Sequence, residues 1–340
     1  MATYLGTHGS KIQNYTTNPD NPNQGEVWYN ETANTIVFEG ATTAGSWSTG
    51  GNLNTARRQM AGAGTSSSAA LGFGGYLAPG ASSAPSALCE SYDGTSWTEV
   101  GDLNTARRGL MGSGTQTSAL AYGGNAPPAS AKTNSWNGSS WTEVNDLGTA
   151  RQQGGGAGAD NTSALYSGGF TPPSTYQTVV EKWNGTNWTE VTDINTGRYG
   201  VQGFGIVTSA LICGGQAGGS NYYKNTELYN GSNWTEVNDI AFERSFGGSA
   251  GSDNTSGLIF GGFDDSPTDL RTVKVELWNG TNWTEQADLS PPGGFLAMAG
   301  AGTATSAIAF GGEGPSNEMR TATEEWTGAG AGLTRTFTDS

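Results

Sequence analysis

The sequence predicts an all-β fold that is built from six copies of one four-stranded unit. A Gly-Gly pair recurs with a period of 45 to 50 residues, each time after a short small-and-apolar run such as SALAYGG or SALICGG. A fixed period in this range indicates a repeat architecture. No stretch shows a 3.6-residue apolar period, and Gly and Thr are abundant where a helix needs Ala, Leu or Glu. The pairs lie at residues 74–75, 123–124, 168–169, 214–215, 261–262 and 311–312.

The second half of each unit contains the aromatic residues. A polar loop after each Gly-Gly pair leads to one aromatic, and in the first five units a Trp follows five residues later. Asn-Gly or Asp-Gly lies between the two aromatics, as in WNGTNWTEV, and favours a tight hairpin turn between a third and a fourth strand. The first aromatics are Tyr92, Trp136, Trp183, Tyr229, Trp278 and Trp326, and the second are Trp97, Trp141, Trp188, Trp234 and Trp283.

The first strand of each unit is rich in glycine and other small residues, as in MAGAG and LMGSG. Strands that converge on a central axis leave little room for side chains, whereas large aromatics fill the wider space between neighbouring sheets. Four strands per unit, six units and this period together predict a β-propeller with six blades, and seven blades are less favoured.

Two resemblances extend this prediction. The Gly-Gly pair with its spaced aromatic and Trp resembles the kelch repeat, over about residues 45 to 338. Repeats of the form NGTNWTEVNDLNTAR, behind the leader GEVWYNETANTIVFEG, are similar to those in structural proteins of tailed phages, notably marine ones. The second resemblance implies a virion protein, made in the host cytoplasm, that belongs to a tail fibre, a tail-tip part or a capsid decoration.

The composition excludes several classes of protein. Fifteen Lys and Arg against thirty Asp and Glu give a net charge of -15, so the surface repels nucleic acid and anionic membranes. Aromatic residues make up 10% of the chain and charged residues only 13%, which argues against disorder. Residues 1–25 lack the apolar core of a signal peptide, and no apolar run is long enough to span a membrane. We therefore expect a soluble chain with no secretory signal.

Few residues are available for catalysis or metal binding. The single histidine, His8, excludes His-based triads and multi-His metal sites. Cys89 and Cys213 are expected on separate strands as buried, inert thiols. Asp264 and Asp265 lack the spaced Asp-x-Asp-x-Asp-Gly pattern of a calcium loop. The sequence therefore predicts no metal and no cofactor.

The two ends of the chain offer alternative ways of closing the ring. Trp47 has the same downstream pattern as the fourth-strand tryptophans, with Asn52 and Arg57 following it, but no first three strands precede it. It is predicted to complete the sixth blade. The rival hypothesis places Phe337, Thr338 and Asp339 in that position and leaves Trp47 outside the ring.

The predicted domains are an N-terminal segment, 1–44, and the propeller, 45–340. The N-terminal segment has no Gly-Gly unit and contains a short hairpin, EVWYNETANTIVFE, whose exposed edge is suited to pairing with another subunit. We expect this segment to attach the chain to other virion proteins in an oligomeric assembly.

One arginine recurs in the connector between successive units, and carboxylates recur near it. The structural interpretation is an ion pair at every blade junction, and the functional interpretation is a ring of ligands for an anion. The structural interpretation is favoured because one copy per blade is what a scaffold needs. The arginines are Arg57, Arg107, Arg151, Arg198 and Arg244, and the nearby carboxylates are Glu99, Glu143, Glu190, Glu236, Glu285, Asp102, Asp146, Asp193, Asp239 and Asp288.

The loops that follow the Gly-Gly pairs vary between units while the rest of the unit repeats. In a four-stranded antiparallel blade, these loops emerge on the same face as the connectors, opposite the Asn-Gly turns. Aromatic rings with nearby carboxylates suit a host-surface glycan or a protein partner. The residues predicted to form this binding face are Tyr76, Phe170, Tyr176, Tyr222, Tyr223, Phe263, Asp264 and Asp265.

Two functions from different classes follow. The favoured one is a non-enzymatic virion structural or adhesion module. The alternative is a propeller enzyme that resembles galactose oxidase or a sialidase and acts on carbohydrate. An oxidase site of that kind needs a Cys-linked Tyr and two histidines, and a sialidase-like site needs an arginine triad with a Tyr nucleophile. One histidine cannot supply the first, and the repeated arginines are assigned to the connectors, so we predict that the protein is not an enzyme.

Overall fold

The computed structural model is all-β, as predicted. It describes residues 12–18, 27–41, 44–77, 84–218, 221–264, 271–290, 296–329 and 332–337. These ranges contain no helix, and hence none that is long and apolar enough to cross a membrane. They divide into two compact units, one of residues 47–326 and one that combines residues 1–46 with residues 327–340.

The larger unit contains, among its described residues, six four-stranded sheets in chain order. Sheet 1 consists of Ala61–Ser66, Ala69–Phe73, Cys89–Tyr92 and Trp97–Val100. Sheet 2 consists of Met111–Gly114, Ala119–Tyr122, Thr133–Trp136 and Trp141–Val144. Sheet 3 consists of Gly155–Asp160, Ser163–Ser167, Val180–Trp183 and Trp188–Val191.

The remaining sheets repeat the same order of strands. Sheet 4 consists of Gln202–Ile206, Ser209–Cys213, Thr226–Tyr229 and Trp234–Val237. Sheet 5 consists of Gly248–Asp253, Ser256–Phe260, Val275–Trp278 and Trp283–Glu285. Sheet 6 consists of Ala299–Gly302, Ser306–Phe310 and Thr323–Thr327, with Ser46–Thr49 as its fourth strand. Two-stranded ribbons pair Arg57–Arg58 with Tyr76–Leu77, Phe170–Thr171 with Thr175–Tyr176, and Arg244–Ser245 with Phe263–Asp264.

The first strands of the six sheets contact one another in a closed cycle, sheet 6 against sheet 1 included. One residue just before each first strand has a positive φ, between 55° and 66°. The amide of each donates to the carbonyl of the equivalent residue in the preceding sheet, at 2.6 to 2.9 Å. The six residues are Gln59, Gly109, Gln153, Gly200, Phe246 and Ala297, and we call them the axial ring.

The glycines of the first strands are required by close approach, as predicted. A Cβ on Gly112 would lie 2.8 Å from the carbonyl oxygen of Gly62 in the neighbouring sheet, and a Cβ on Gly62 would lie 2.6 Å from that of Gly300. Ser249 is the exception at the equivalent position of sheet 5, and its hydroxyl donates to the carbonyl of Gly203 at 2.8 Å. Neighbouring strands therefore meet backbone to backbone around the axis.

Away from the axis, tryptophans of the fourth strands bond to the preceding sheet. The indole N–H of Trp188 in sheet 3 donates to the hydroxyl of Thr133 in sheet 2 at 2.9 Å, and Trp283 in sheet 5 bonds Thr226 in sheet 4 at 3.0 Å. Each indole thus combines apolar packing with a directional bond to the preceding sheet, which is the usual arrangement for a Trp at a packed interface.

The connector arginines are structural, and they are fully buried. The guanidinium of Arg57 donates to the carbonyls of Gly74 and Leu88, at 2.8 and 2.6 Å, and to the carboxylate of Glu90 at 2.7 Å. Burial lowers the pKa of Arg57, and the neighbouring Glu90 opposes that shift. The second oxygen of Glu90 accepts from the amide of Asn54 at 2.7 Å, so one carboxylate holds both the arginine and the connector.

The carboxylate partner is not one of those predicted from the sequence. It lies on the third strand, two residues before the first aromatic, rather than on or after the W-T-E strand. Sheet 2 has an amide at this position, Asn134, which accepts from Arg107. Burial lowers the pKa of Arg107 to about 10. The other pairs are Arg151 with Glu181, Arg198 with Glu227 and Arg244 with Glu276.

Sheet 6 keeps the glutamate but its connector sequence, SPPGGFL, contains no arginine. Glu324 is buried and accepts from the amide of Ser290 at 2.8 Å. Burial raises the pKa of Glu324 because desolvation disfavours its charged form. Residues 291–295 of this connector lie outside the described part of the chain.

The ring is closed by the N-terminal strand, as predicted. Trp47, on the fourth strand of sheet 6, has its ring centroid 5.2 Å from that of Trp326 and 5.2 Å from that of Phe260. The rival hypothesis is wrong at Phe337, which pairs with Ile36 in a different sheet. Thr338 and Asp339 lie outside the described residues.

The smaller unit corrects the predicted domain boundary. Its sheet has the strand order Gln13–Tyr15, Val27–Asn30, Thr35–Ala41 and Gly332–Phe337. The predicted hairpin is present, but its two edges are covered by the first and last of these strands, so the hairpin itself offers no free edge among the described residues. The larger unit ends at Trp326 rather than at 340, because the C-terminal strand extends the N-terminal hairpin.

Replacing Trp47 with Ala should lower the free energy of unfolding about as much as replacing Trp188, on the order of 3–5 kcal/mol. Both residues are fourth-strand tryptophans of the larger unit, so both substitutions remove an aromatic contact between sheets. The measurement is the denaturation midpoint of each variant. The exposed Thr235→Ala, on the fourth strand of sheet 4, is the control and should leave the midpoint unchanged. A Trp47 variant as stable as this control would contradict closure by the N-terminal strand.

Glu276→Gln and Glu324→Gln should change stability in opposite directions at pH 7. The first leaves Arg244 buried without its carboxylate and should cost about 3 kcal/mol. The second removes a carboxylate whose charged form is disfavoured by burial, as its raised pKa shows. The stability linked to Glu324 is complete below the ordinary pKa of 4.5 and is lost as the pH rises through its raised value.

Glu324→Gln should therefore be more stable than the natural chain at neutral pH, and the difference should shrink below pH 4.5. Urea unfolding of both variants between pH 4 and pH 8 measures this. Equal destabilisation by the two substitutions at neutral pH would show that Glu324 is held by a cation like its counterparts.

Candidate functional site

The first strands enclose a cavity along the axis, with a volume of about 160 Å³. The axial ring lies at one end of this cavity. The residue before each axial-ring residue pairs with the residue that follows a Gly-Gly pair, as Gln152 does with Phe170 and Tyr199 with Gln216. The variable loops therefore start beside this end of the cavity. We call this end of the larger unit the variable-loop face.

Four aromatic rings lie in contact on the variable-loop face. The ring centroid of Phe170 is 5.6 Å from that of Tyr176 and 5.3 Å from that of Tyr199. Tyr176 and Tyr199 are nearly parallel, with an interplanar angle of 13°, and Tyr199 meets the edge of Phe246 at 5.6 Å. We call these four residues the aromatic cluster. It extends from a variable loop of sheet 3, through a connector, to the axial ring.

Polar groups border the aromatic cluster. The side-chain amide of Gln216 donates to the hydroxyl of Tyr199 at 2.9 Å. Burial raises the pKa of Tyr199, because desolvation disfavours the charged phenolate. Tyr222 and Phe263 form a second aromatic contact, with centroids 5.5 Å apart, in the loops of sheets 4 and 5. The face thus combines apolar ring surface with hydroxyl and amide groups.

Arginines form a second group of side chains on the same face. Arg58 and Arg108 both lie over the ring of Tyr76, with their guanidinium carbons 5.4 and 4.6 Å from its centroid. Arg58 forms an ion pair with Glu313, and Arg271 binds the other oxygen of the same carboxylate at 2.7 Å. Cation–π stacking restricts where each guanidinium lies.

The structure brings some of the sequence-predicted residues together and separates others. Phe170 contacts Tyr176, and Tyr222 contacts Phe263, but Tyr76 lies with the arginines. The aromatics are half-buried rather than exposed, because they pack on one another and on the connectors. Tyr223 is also half-buried, and its amide donates to the carbonyl of Gly215 at 2.9 Å. Asp264 pairs with Arg244 in a two-stranded ribbon, and Asp265 lies outside the described residues.

Sequence reasoning missed Tyr199, Phe246, Arg58 and Arg108. A signal for three of them was present. The position directly after each connector arginine is as varied as the loops, reading Arg58, Arg108, Gln152, Tyr199 and Ser245. Varied residues at a fixed place in an otherwise repeated unit indicate a shared surface. The place of Phe246 in the aromatic cluster could not be predicted from the sequence, because it depends on the axial ring lying at this face.

The described residues of the face do not assemble a metal site. Within the described ranges, no three His, Cys, Asp or Glu side chains converge as a metal site would need. Cys89 and Cys213 are buried, and burial raises the pKa of each thiol to about 12. The arrangement is suited to non-covalent contact through aromatic faces, hydroxyls, amides and guanidinium groups.

Comparison with known proteins supports the fold. The chain is similar to the solved structure of YjhT, with a TM-score of 0.64 and 12% sequence identity over 80% of this chain and 95% of that one. YjhT is a kelch-like β-propeller, so the likeness shows that this chain has a propeller fold. No family model matches the chain, and no curated protein matches it.

Proposed function

We propose that the protein is a non-enzymatic binding module of a virion, with the variable-loop face as the surface that contacts a host-surface glycan or protein. The observation that carries this proposal is the aromatic cluster at the end of the axial cavity. Aromatic faces bind the apolar face of a sugar ring or an apolar side chain, and nearby hydroxyls and amides fix its orientation.

The scaffold beneath this face supports a binding role. Phe246 belongs to the hydrogen-bonded axial ring, and Phe170 and Tyr199 are held by backbone pairing to Gln152 and Gln216. Little conformational entropy is lost when a partner binds to side chains that are already fixed. Varied residues on a repeated frame are the usual way in which a rigid fold acquires a binding site.

The assignment to a virion rests on the sequence resemblance to structural proteins of tailed phages. Residues 1–44 are proposed to attach the chain to other virion proteins in an oligomeric tail fibre, tail-tip part or capsid decoration. The net charge of -15 disfavours nucleic acid and anionic membranes as partners of the chain.

A carbohydrate-acting enzyme remains the alternative, and one observation favours it. Arg58, Arg108 and Tyr76 lie together on the face, whereas the sequence had assigned arginines only to the connectors. Release of reducing sugar from a glycan substrate, lost on Tyr76→Phe substitution, would distinguish an enzyme from a binding module.

The double variant Tyr176→Ala, Tyr222→Ala should keep its fold and attach at least tenfold more weakly to the host surface. Each substitution removes one ring of an aromatic contact on the variable-loop face. Attachment of the fluorescently labelled protein to host cells measures the effect, and the denaturation midpoint checks the fold. Ser139→Ala, in an Asn-Gly turn on the other face, is the matched control. If the Ser139 variant loses attachment and the double variant does not, the binding surface lies on the face of the Asn-Gly turns, and the assignment to the variable-loop face is wrong.

Deleting residues 1–44 should keep β circular dichroism and abolish incorporation into the assembly. The larger unit, 47–326, contains its own ring closure and is expected to fold without the smaller one. Gly332–Phe337 pairs with the deleted Thr35–Ala41, so a second variant without residues 328–340 as well controls for the exposed strand. Particles assembled with either variant are assayed by mass spectrometry. Normal incorporation would refute attachment through the N-terminal segment.

A further inference from the structure

We propose that Arg108 on the variable-loop face binds the carboxylate of an acidic glycan, whose sugar rings lie towards the aromatic cluster. This inference rests on the proposed binding function and names the chemical class of its ligand. It starts from the one arginine of the face whose side chain has no acidic partner in the described part of the chain.

Arg108 is held in place at both ends. Its backbone pairs with Asn125, with N–H to O distances of 3.1 and 2.7 Å in the two directions. Its guanidinium carbon lies 4.6 Å from the centroid of Tyr76. The side chain is half-buried, so part of it faces solvent. A guanidinium that is stacked on a ring keeps its N–H donors in a fixed plane, ready for the two oxygens of a carboxylate.

The other arginines with described side chains already have hydrogen-bonding partners. The five connector arginines bind carbonyls and a Glu or Asn, Arg58 and Arg271 share Glu313, and Arg320 pairs with Glu318 at 3.2 Å. Arg108 alone among them makes no side-chain hydrogen bond to a described residue. A half-buried arginine whose guanidinium N–H groups have no acceptor among the described residues is expected where a ligand supplies the acceptor.

The local charge differs from that of the whole molecule. Among the described side chains, Arg58, Arg108, Arg271 and Arg320 contact Tyr76, Glu313 or Glu318, which is four arginines against two glutamates, although the chain as a whole has a net charge of -15. A surface that repels anions elsewhere concentrates them where the potential is locally positive. The net negative charge of the chain opposes this local attraction at longer range, so we expect the site to select a ligand that has further contacts beside its charge.

Those further contacts point to a sugar. The side chains of Gln152 and Gln153 lie beside Gly109, the neighbour of Arg108, because a Cβ on Gly109 would be 3.6 Å from the Oε1 of Gln152 and 3.0 Å from the Cγ of Gln153. The backbone of Gln152 in turn pairs with Phe170. Guanidinium, side-chain amides and aromatic rings thus follow one another across sheets 2, 3 and 4. An acidic sugar presents the matching groups in the same order: a carboxylate, hydroxyls and an apolar C–H face.

Tetragalacturonate and its neutral methyl ester are the probes, and isothermal titration calorimetry of the full chain is the measurement. The acid should bind at least tenfold more tightly than the ester. Arg108→Gln should remove this preference, and the matched control Lys182→Gln, a surface cation of sheet 3 away from this face, should retain it. The denaturation midpoint of each variant verifies that the half-buried substitution leaves the fold intact.

Several outcomes would overturn the inference. Equal binding of acid and ester, or an unchanged preference in Arg108→Gln, would remove Arg108 from the site. Equal binding of poly-glutamate would assign the site to acidic peptides, and absence of tetragalacturonate binding would reject the glycan class. Host attachment that still depends on Tyr176 and Tyr222 in any of these cases would leave the proposed binding function standing while this inference fails.

Discussion

The closed cycle of six backbone hydrogen bonds in the axial ring is the constraint on which the larger unit depends. Each bond joins the start of one first strand to the start of the preceding one, so the sheets cannot separate from the axis singly. The positive φ of these six residues turns the chain from connector into strand. Glycine-rich strands then run side by side at backbone contact distance, which explains why most of the large aromatic residues lie farther out.

The second requirement is that the buried backbone groups of the connectors find hydrogen-bonding partners. A buried arginine neutralised by a third-strand carboxylate binds the carbonyls that the Gly-Gly turn leaves inside the protein. Burial of both charges is costly unless each finds its partner, which is why arginine and glutamate occur as a matched set. Asn134 in sheet 2 shows that an amide oxygen can take the place of the carboxylate, and Glu324 in sheet 6 shows the carboxylate without a connector arginine in its sequence.

The variable-loop face follows from these two requirements. The axial ring and the connectors fix the backbone around this end of the cavity. Side chains that take no part in the contacts repeated in every sheet are free to differ from one sheet to the next. Sheets 3 to 5 place aromatic rings there, and sheets 1, 2, 5 and 6 place arginines near Tyr76 and Glu313. One rigid frame thereby presents aromatic and cationic side chains around the same opening, and both the proposed binding function and the proposed acidic ligand draw on that combination.

The sequence left two ways of closing the ring, and the tertiary structure decided for Trp47. The sequence by itself determined the all-β class, the four-stranded unit and the glycine-lined axis, because each depends on a spacing that repeats along the chain. It located the variable loops for the same reason. Only the tertiary structure decided which carboxylate meets the connector arginine, since in four of the sheets both the third and the fourth strand contain a glutamate. It also decided that the C-terminal strand joins the N-terminal hairpin and that Tyr199 and Phe246 complete the aromatic cluster. These contacts join residues that are far apart in the sequence, and no periodic pattern specifies which side chains meet.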